Sequence, residues 1–161
     1  MIFRPLLLNI FLGMVWTALT GNFTPSNLAV GLVMGYGLLF LLRKTLLRQQ
    51  SSYFKKVFQV IYFFVYFGWE LLLANLRVAY EVMTPGYRIR PGIVAVPLSL
   101  KSDLEISILA NLITLTPGTL SLDVSTDNRT LYVHCMFLDD VEEFRESIKQ
   151  GFEKRVHELF E

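Results

Sequence analysis

Between Pro5 and Leu42 the chain carries not one Asp, Glu, Lys or Arg, and no other feature restricts its possible folds so severely. Two apolar segments make up that stretch, Leu6 to Thr20 and Leu28 to Leu42, separated by the turn-forming run Gly21-Asn22-Phe23-Thr24-Pro25-Ser26-Asn27. A helix that crosses the hydrocarbon core needs about 20 residues, and a few flanking polar residues bring each segment to that length. The reading is a membrane hairpin with spans at about residues 5–21 and 26–43. A cleaved signal peptide fits poorly. Arg4 supplies a positive start, but Thr17-Ala18-Leu19-Thr20 is a poor cleavage site and a second apolar segment follows directly.

Lys and Arg give the orientation. Arg4 precedes the first span, Arg43, Lys44, Arg48, Lys55 and Lys56 follow the second, and the intervening turn is uncharged. Both flanks are therefore expected in the cytoplasm and the turn outside. Gly31, Gly35 and Gly37 offer a small-residue ridge on the second span, where another helix could approach closely.

A third apolar segment belongs to a long helix predicted over residues 53–83, but it is not uniformly apolar. At 100° per residue Lys56, Gln59, Tyr66, Glu70, Arg77 and Glu81 fall on one polar stripe. Two readings fit. The helix lies along the cytoplasmic interface with the stripe toward water, or it spans with Glu70 held against a partner helix. Arg77, Arg88 and Arg90 near the far end argue against that end being external, so the interfacial or steeply tilted reading is preferred.

The remainder is polar and periodic. Residues 1–83 are read as the membrane region and residues 84–161 as a small α+β domain. After Thr84-Pro85-Gly86, a strand is predicted over Gly92 to Leu98. A helix follows from Ser102 or Asp103 to about Leu115, with Leu104, Ile108, Leu112 and Leu115 on one face. Two strands, Leu120 to Ser125 and Thr130 to Leu138, flank a turn at Thr126-Asp127-Asn128-Arg129. A last helix, capped by Asp139 or Asp140, sets Val141, Phe144, Ile148, Phe152, Val156 and Leu159 inward. The order β-α-β-β-α describes helices on one face of a small sheet. So small a domain is marginal alone and is expected to lean on a neighbour. Thr116-Pro117-Gly118-Thr119 is read as a fold-defining type II turn, with Pro at its second position and Gly at its third.

The segment Ala110-Asn111-Leu112-Ile113-Thr114-Leu115-Thr116-Pro117-Gly118-Thr119-Leu120-Ser121-Leu122-Asp123-Val124, followed by Leu131-Tyr132-Val133-His134, resembles the E subunit of the multisubunit Mrp/Mnh-type sodium/proton antiporters of bacteria. The N-terminal hairpin with Trp16, the basic linker and the further apolar segment extend the resemblance along the whole chain. The resemblance implies a bacterial inner-membrane complex that exchanges sodium for protons. It further implies that large subunits akin to respiratory complex I carry the ion paths, with this chain an accessory partner to them and to small membrane subunits.

No catalytic constellation is visible. His134 and Cys135 are neighbours on a strand and point to opposite faces, so they cannot share a metal. There is no Cys-x-x-Cys, no phosphate-binding glycine loop and no nucleophile elbow. Asp139, Asp140, Glu142 and Glu143 are accounted for by a helix N-terminus. The net charge of +1 gives no reason to expect nucleic acid. No cofactor is expected. The leading reading is therefore a non-catalytic accessory subunit of a cation/proton antiporter, with the lipid bilayer and other subunits as its surroundings. Its rivals are a transporting subunit with Glu70 in a proton relay, or a membrane-tethered regulatory module whose tail binds a ligand or protein. Gly31, Gly35, Gly37 and Glu70 are the candidate partner contacts.

Overall fold

The computed structural model describes residues 3–42, 51–85 and 89–160. Arg43, Lys44, Arg48, Gly86 and Arg88 lie outside the described residues. The chain packs as two compact units, residues 1–58 and 59–161, and the division falls inside one long helix.

In the first unit, α1 (Phe3–Thr20) and α2 (Pro25–Leu41) form the apolar hairpin. Its connector satisfies its own polar groups. Thr24 caps α2 by accepting from the Asn27 N–H, Pro25 occupies the first helical turn, and the Asn27 amide donates to Thr20 Oγ1 and Asn22 O. Trp16 Nε1 donates to Asn27 Oδ1 at 3.0 Å, tying α1 to the start of α2.

The hairpin closes on glycine. A Cβ at Gly31 would stand 2.9 Å from Gly13 O and 3.0 Å from Trp16, and one at Gly35 only 2.5 Å from Asn9 Oδ1. Backbones approach this closely only where side chains are missing. Gly37 has nothing within 4 Å of its Cβ position. It lies about 200° around the helix from Gly35, so the ridge consists of Gly31 and Gly35 without it. The helix on that ridge is α1 of the same chain. Buried Asn9 donates from Nδ2 to Tyr53 Oη at 2.9 Å, at the start of α3 (Ser51–Met83), where Tyr53 and Phe54 pack on Leu39 and Tyr36.

The second unit contains the rest of α3 and the α+β domain. β1 (Gly92–Pro97), α4 (Asp103–Leu115), β2 (Thr119–Val124) and β3 (Thr130–Cys135) are followed by α5 (Val141–Ile148), a π-helical turn at Lys149–Glu153, and α6 (Lys154–Phe160). The antiparallel sheet has the order β1-β3-β2, with Val94 opposite Val133, Val96 opposite Leu131, and a bulge between Ser121 and Asp123. Val94, Val96, Leu131 and Val133 meet Ile106, Leu109, Ile113, Ile148, Phe152 and Val156 in the core. On the opposite face Ile93, Leu120, Leu122 and Tyr132 remain exposed.

α4 departs from the expected face. Of the four expected residues Leu112 is buried and Ile108 packs on the core, but Leu104 and Leu115 are exposed, and the other buried apolar positions are Ile106, Leu109 and Ile113. The helix is apolar over more than one stripe, and the sheet selects the stripe centred on Leu109. Ser102 caps it, with the Glu105 carboxylate accepting the Ser102 N–H at 3.3 Å.

The turn after α4 follows from its residues. Thr116 is extended at φ −84°, ψ 117°, as a residue before Pro must be. Gly118 sits at φ +91°, and the Thr119 N–H closes the turn on Thr116 O at 3.2 Å. Thr116 Oγ1 donates to Leu112 O, and Thr119 Oγ1 donates to Ile113 O and Thr116 O, satisfying the last carbonyls of the helix.

Replacing Gly35 with alanine should lower the melting temperature in detergent, at a cost of about 1–3 kcal/mol from the overlap with Asn9. Gly37→Ala, with open space at its Cβ, should be neutral or slightly stabilising in the same scan. In the α+β domain Gly118→Ala should cost about 1–3 kcal/mol, because the left-handed backbone is strained for alanine and its methyl would meet the Phe137 ring. Equal effects at positions 35 and 37 would contradict the packing described.

Candidate functional site

From Tyr66 onward, the polar stripe of α3 faces the α+β domain. Phe63 is buried in the core of that domain, and Tyr66 and Phe67 stack edge-on against Phe152 with ring centroids 5.8 and 6.2 Å apart. Arg155 Nη1 donates to Gln150 O and Gly151 O. Its guanidinium lies 3.6 Å above the Tyr66 ring, within the range of a strong cation–π contact. The Tyr66 hydroxyl donates in turn to the Glu70 carboxylate. Gly151 makes this approach possible, since a Cβ there would be 3.0 Å from Tyr66 Oη.

Two turns further along, Arg77 stands 5.8 Å from the Phe137 ring. Between Glu70 and Arg77 the helix does not pack flush on the domain. A cleft of about 480 Å³ remains, walled by Glu70, Leu73, Ala74 and Arg77 on one side and by the Thr116–Thr119 turn, Cys135, Phe137, Phe144 and Ser147 on the other. A second cleft of about 450 Å³ continues it past Phe137 to Val78, Val82 and Ile89. The structure thus brings Glu70 and the Thr116–Thr119 turn, far apart in sequence, to one cleft, while Gly31 and Gly35 lie in the hairpin and Gly37 on its surface.

The polar groups of this cleft are largely engaged within the fold. The hydroxyls of Thr116 and Thr119 are spent on α4, and the Glu70 carboxylate accepts from Tyr66. Cys135 is buried, and desolvation raises its thiol pKa above the ordinary value despite the nearby Arg77 charge, so a nucleophilic thiolate is disfavoured. His134 pairs across the sheet with Ile93 and Leu120, on the face away from Cys135. Among the described residues no group of three or more His, Cys, Asp or Glu gathers as a metal site.

Sequence reasoning missed Asn9, Gly151 and Arg155. Asn9 had a signal, a lone amide in the middle of an apolar span. Arg155 had none, because its partner ring lies on another element and no spacing rule connects them.

The chain is similar to known proteins along nearly its whole length. A family described as Na+/H+ ion antiporter subunit matches residues 9–159. The E subunit of the Na+/H+ antiporter of Bacillus subtilis is 39% identical over 154 residues, and that of Alkalihalophilus pseudofirmus 38% identical over 154 residues, each alignment covering 96% of both chains. Among solved structures, a chain of the membrane-bound sulfane sulfur reductase, an archaeal respiratory membrane complex, is 33% identical. It superposes with a TM-score of 0.60 over 98% of this chain and 99% of its own. The apolar helices, the small sheet and the similarity agree: this chain belongs to the family of Na+/H+ antiporter E subunits, membrane components of ion-transporting complexes.

Proposed function

We propose that the chain is an accessory, non-catalytic subunit of a multisubunit monovalent cation/proton antiporter, and that other subunits carry the ions. The observation that carries this reading is the scarcity of charged groups along the hairpin. In α1 and α2 only Arg4, at the very start, carries a charge, and the buried polar residues are Asn9 and Thr17. A proton relay needs a succession of ionisable groups through the membrane. Glu70 belongs to a polar face that meets the α+β domain, which suits a structural contact better than a relay.

The same reading puts the membrane boundary along α3. The outward side of that helix is apolar and exposed, including Ile61, Phe64, Val65, Trp69, Leu72 and Leu76. A helix with one apolar side and one side covered by a polar domain is suited to the cytoplasmic interface. The domain over residues 84–161 is then cytoplasmic, in keeping with the Lys and Arg that flank the hairpin. The family relatives are named as subunits, and large and small membrane subunits of such a complex are the partners this reading implies.

Two experiments test it. Glu70→Gln keeps the shape of the side chain and removes its charge, at a cost of about 1 kcal/mol or less. Sodium/proton exchange in everted vesicles should stay near normal, with at most weaker assembly. Normal complex levels with abolished exchange would establish Glu70 as a transporting residue instead. A phosphatase or fluorescent reporter fused after Glu161 should report the cytoplasm only, and clear periplasmic activity would mean that α3 crosses the bilayer.

A further inference from the structure

We infer that the trough between α3 and the α+β domain is the seat of a basic juxtamembrane segment from a neighbouring protein of the complex. The inference rests on the accessory-subunit reading and adds to it the surface used and the chemistry of what fills it.

The trough is the gap along which α3 stands off the domain. Phe63, Tyr66 and Phe67 hold α3 to the domain at one end, where a pocket of about 390 Å³ beside Tyr66 shares Glu70, Thr116 and Thr119 with the first cleft, and the second cleft carries the trough past Phe137 toward Val82. The stretch of α3 from Glu70 to Val82 is about 18 Å long, enough for about three turns of a docked helix or a shorter extended strand. The trough opens to the surface, and its floor is apolar, made by Leu73, Ala74, Pro117, Phe137 and Phe144. An occupant therefore needs an apolar side.

Its charge follows from the rim. Glu70, Glu81, Asp139, Asp140 and Glu143 line the trough, Arg77 faces them, and Arg155 stands at the Glu70 end. The N-terminus of α5 beside the three acidic residues offsets about half a charge, which leaves the rim negative. That balance disfavours a phospholipid phosphate and favours Lys or Arg. On the proposed topology the trough lies on the polar side of an interfacial helix at the cytoplasmic surface. Membrane subunits concentrate Lys and Arg in short cytoplasmic loops and helix ends. Amphipathic and positively charged, such a segment matches both the floor and the rim.

The test uses the whole complex. A photoreactive p-benzoylphenylalanine is placed at Ser147, which is exposed on the trough wall, and at Asp127 on the β2–β3 turn as a control. The complex is purified in mild detergent, irradiated, and its cross-linked peptides are sequenced. The expected result is a Ser147 product with a Lys- or Arg-containing peptide of another subunit, absent from the Asp127 sample. Its yield should fall about threefold in a chain also carrying Asp139→Asn and Glu143→Gln, as expected for the loss of surface ion pairs. Products with lipid only, with this chain only, or with a peptide lacking Lys and Arg would overturn the inference, as would a yield unchanged by the two neutral substitutions. Failure of the unsubstituted chain to bring other subunits with it would sink the accessory reading itself, and this inference with it.

Discussion

The structure depends on a single helix with two unlike sides. Along α3 the side carrying Phe64, Val65, Trp69, Leu72 and Leu76 finds no cover among the described residues. Fully burying such a side chain is worth about 1.5–3 kcal/mol, so this side is a standing demand for lipid or a partner. The opposite side supplies what a domain of this size lacks. Phe63 enters the domain core, and Tyr66 and Phe67 extend it onto Phe152. A small three-stranded sheet with helices on one face buries too little by itself. Its marginal core is completed by a helix whose other face is apolar and exposed, and that dependence ties the domain to the long helix that precedes it.

The hairpin solves a different problem. In an apolar medium two helices gain nothing from hiding apolar surface, so close packing and hydrogen bonds must hold them. Gly31 against Gly13, and Gly35 against Asn9, give the packing. The Asn9–Tyr53 bond adds direction, because a buried amide left without that partner would cost about 1–3 kcal/mol. Asn9 Oδ1 occupies the space a side chain at position 35 would need, so the amide and the glycine specify each other.

Much of this is legible in the sequence because periodicity is a local signal. The two apolar segments, the long third helix and the helix-stopping Thr116-Pro117-Gly118-Thr119 all announce themselves within a few turns of chain. The glycine ridge is legible as a ridge, but its occupant is not. Spacing within α2 cannot say whether the approaching helix is α1 or one from another chain, nor does a helical wheel drawn for two glycines extend to Gly37. The stripe from Lys56 to Glu81 fits water or a partner helix as a sequence, with Arg77, Arg88 and Arg90 favouring the first. From Tyr66 to Arg77 it meets the α+β domain, because Phe152, Arg155 and Phe137 offer rings and a guanidinium at matching heights. Those residues lie about 60 or more positions away along the chain, beyond any rule of helical spacing. The inward face of α4 is illegible for a related reason: where a helix is apolar on two stripes, only the sheet it packs on decides between them.

The π-helical turn shows how the last helix meets both of its obligations. Ile148, Phe152 and Val156 are all buried, each four residues after the one before. In an unbroken α-helix a four-residue step overshoots a full turn by about 40°, so three such residues drift away from a straight line. A π turn accommodates an extra residue, and the one at Lys149–Glu153 takes up part of that drift. The inward row is thereby kept on the sheet. The same widening sets Gly151 against Tyr66 Oη and leaves the carbonyls of Gln150 and Gly151 to Arg155. Tyr66 is then held between a glycine that makes room for it and a guanidinium that covers it. One local departure from α-helical geometry thus serves the core of the domain and its seat on α3 together.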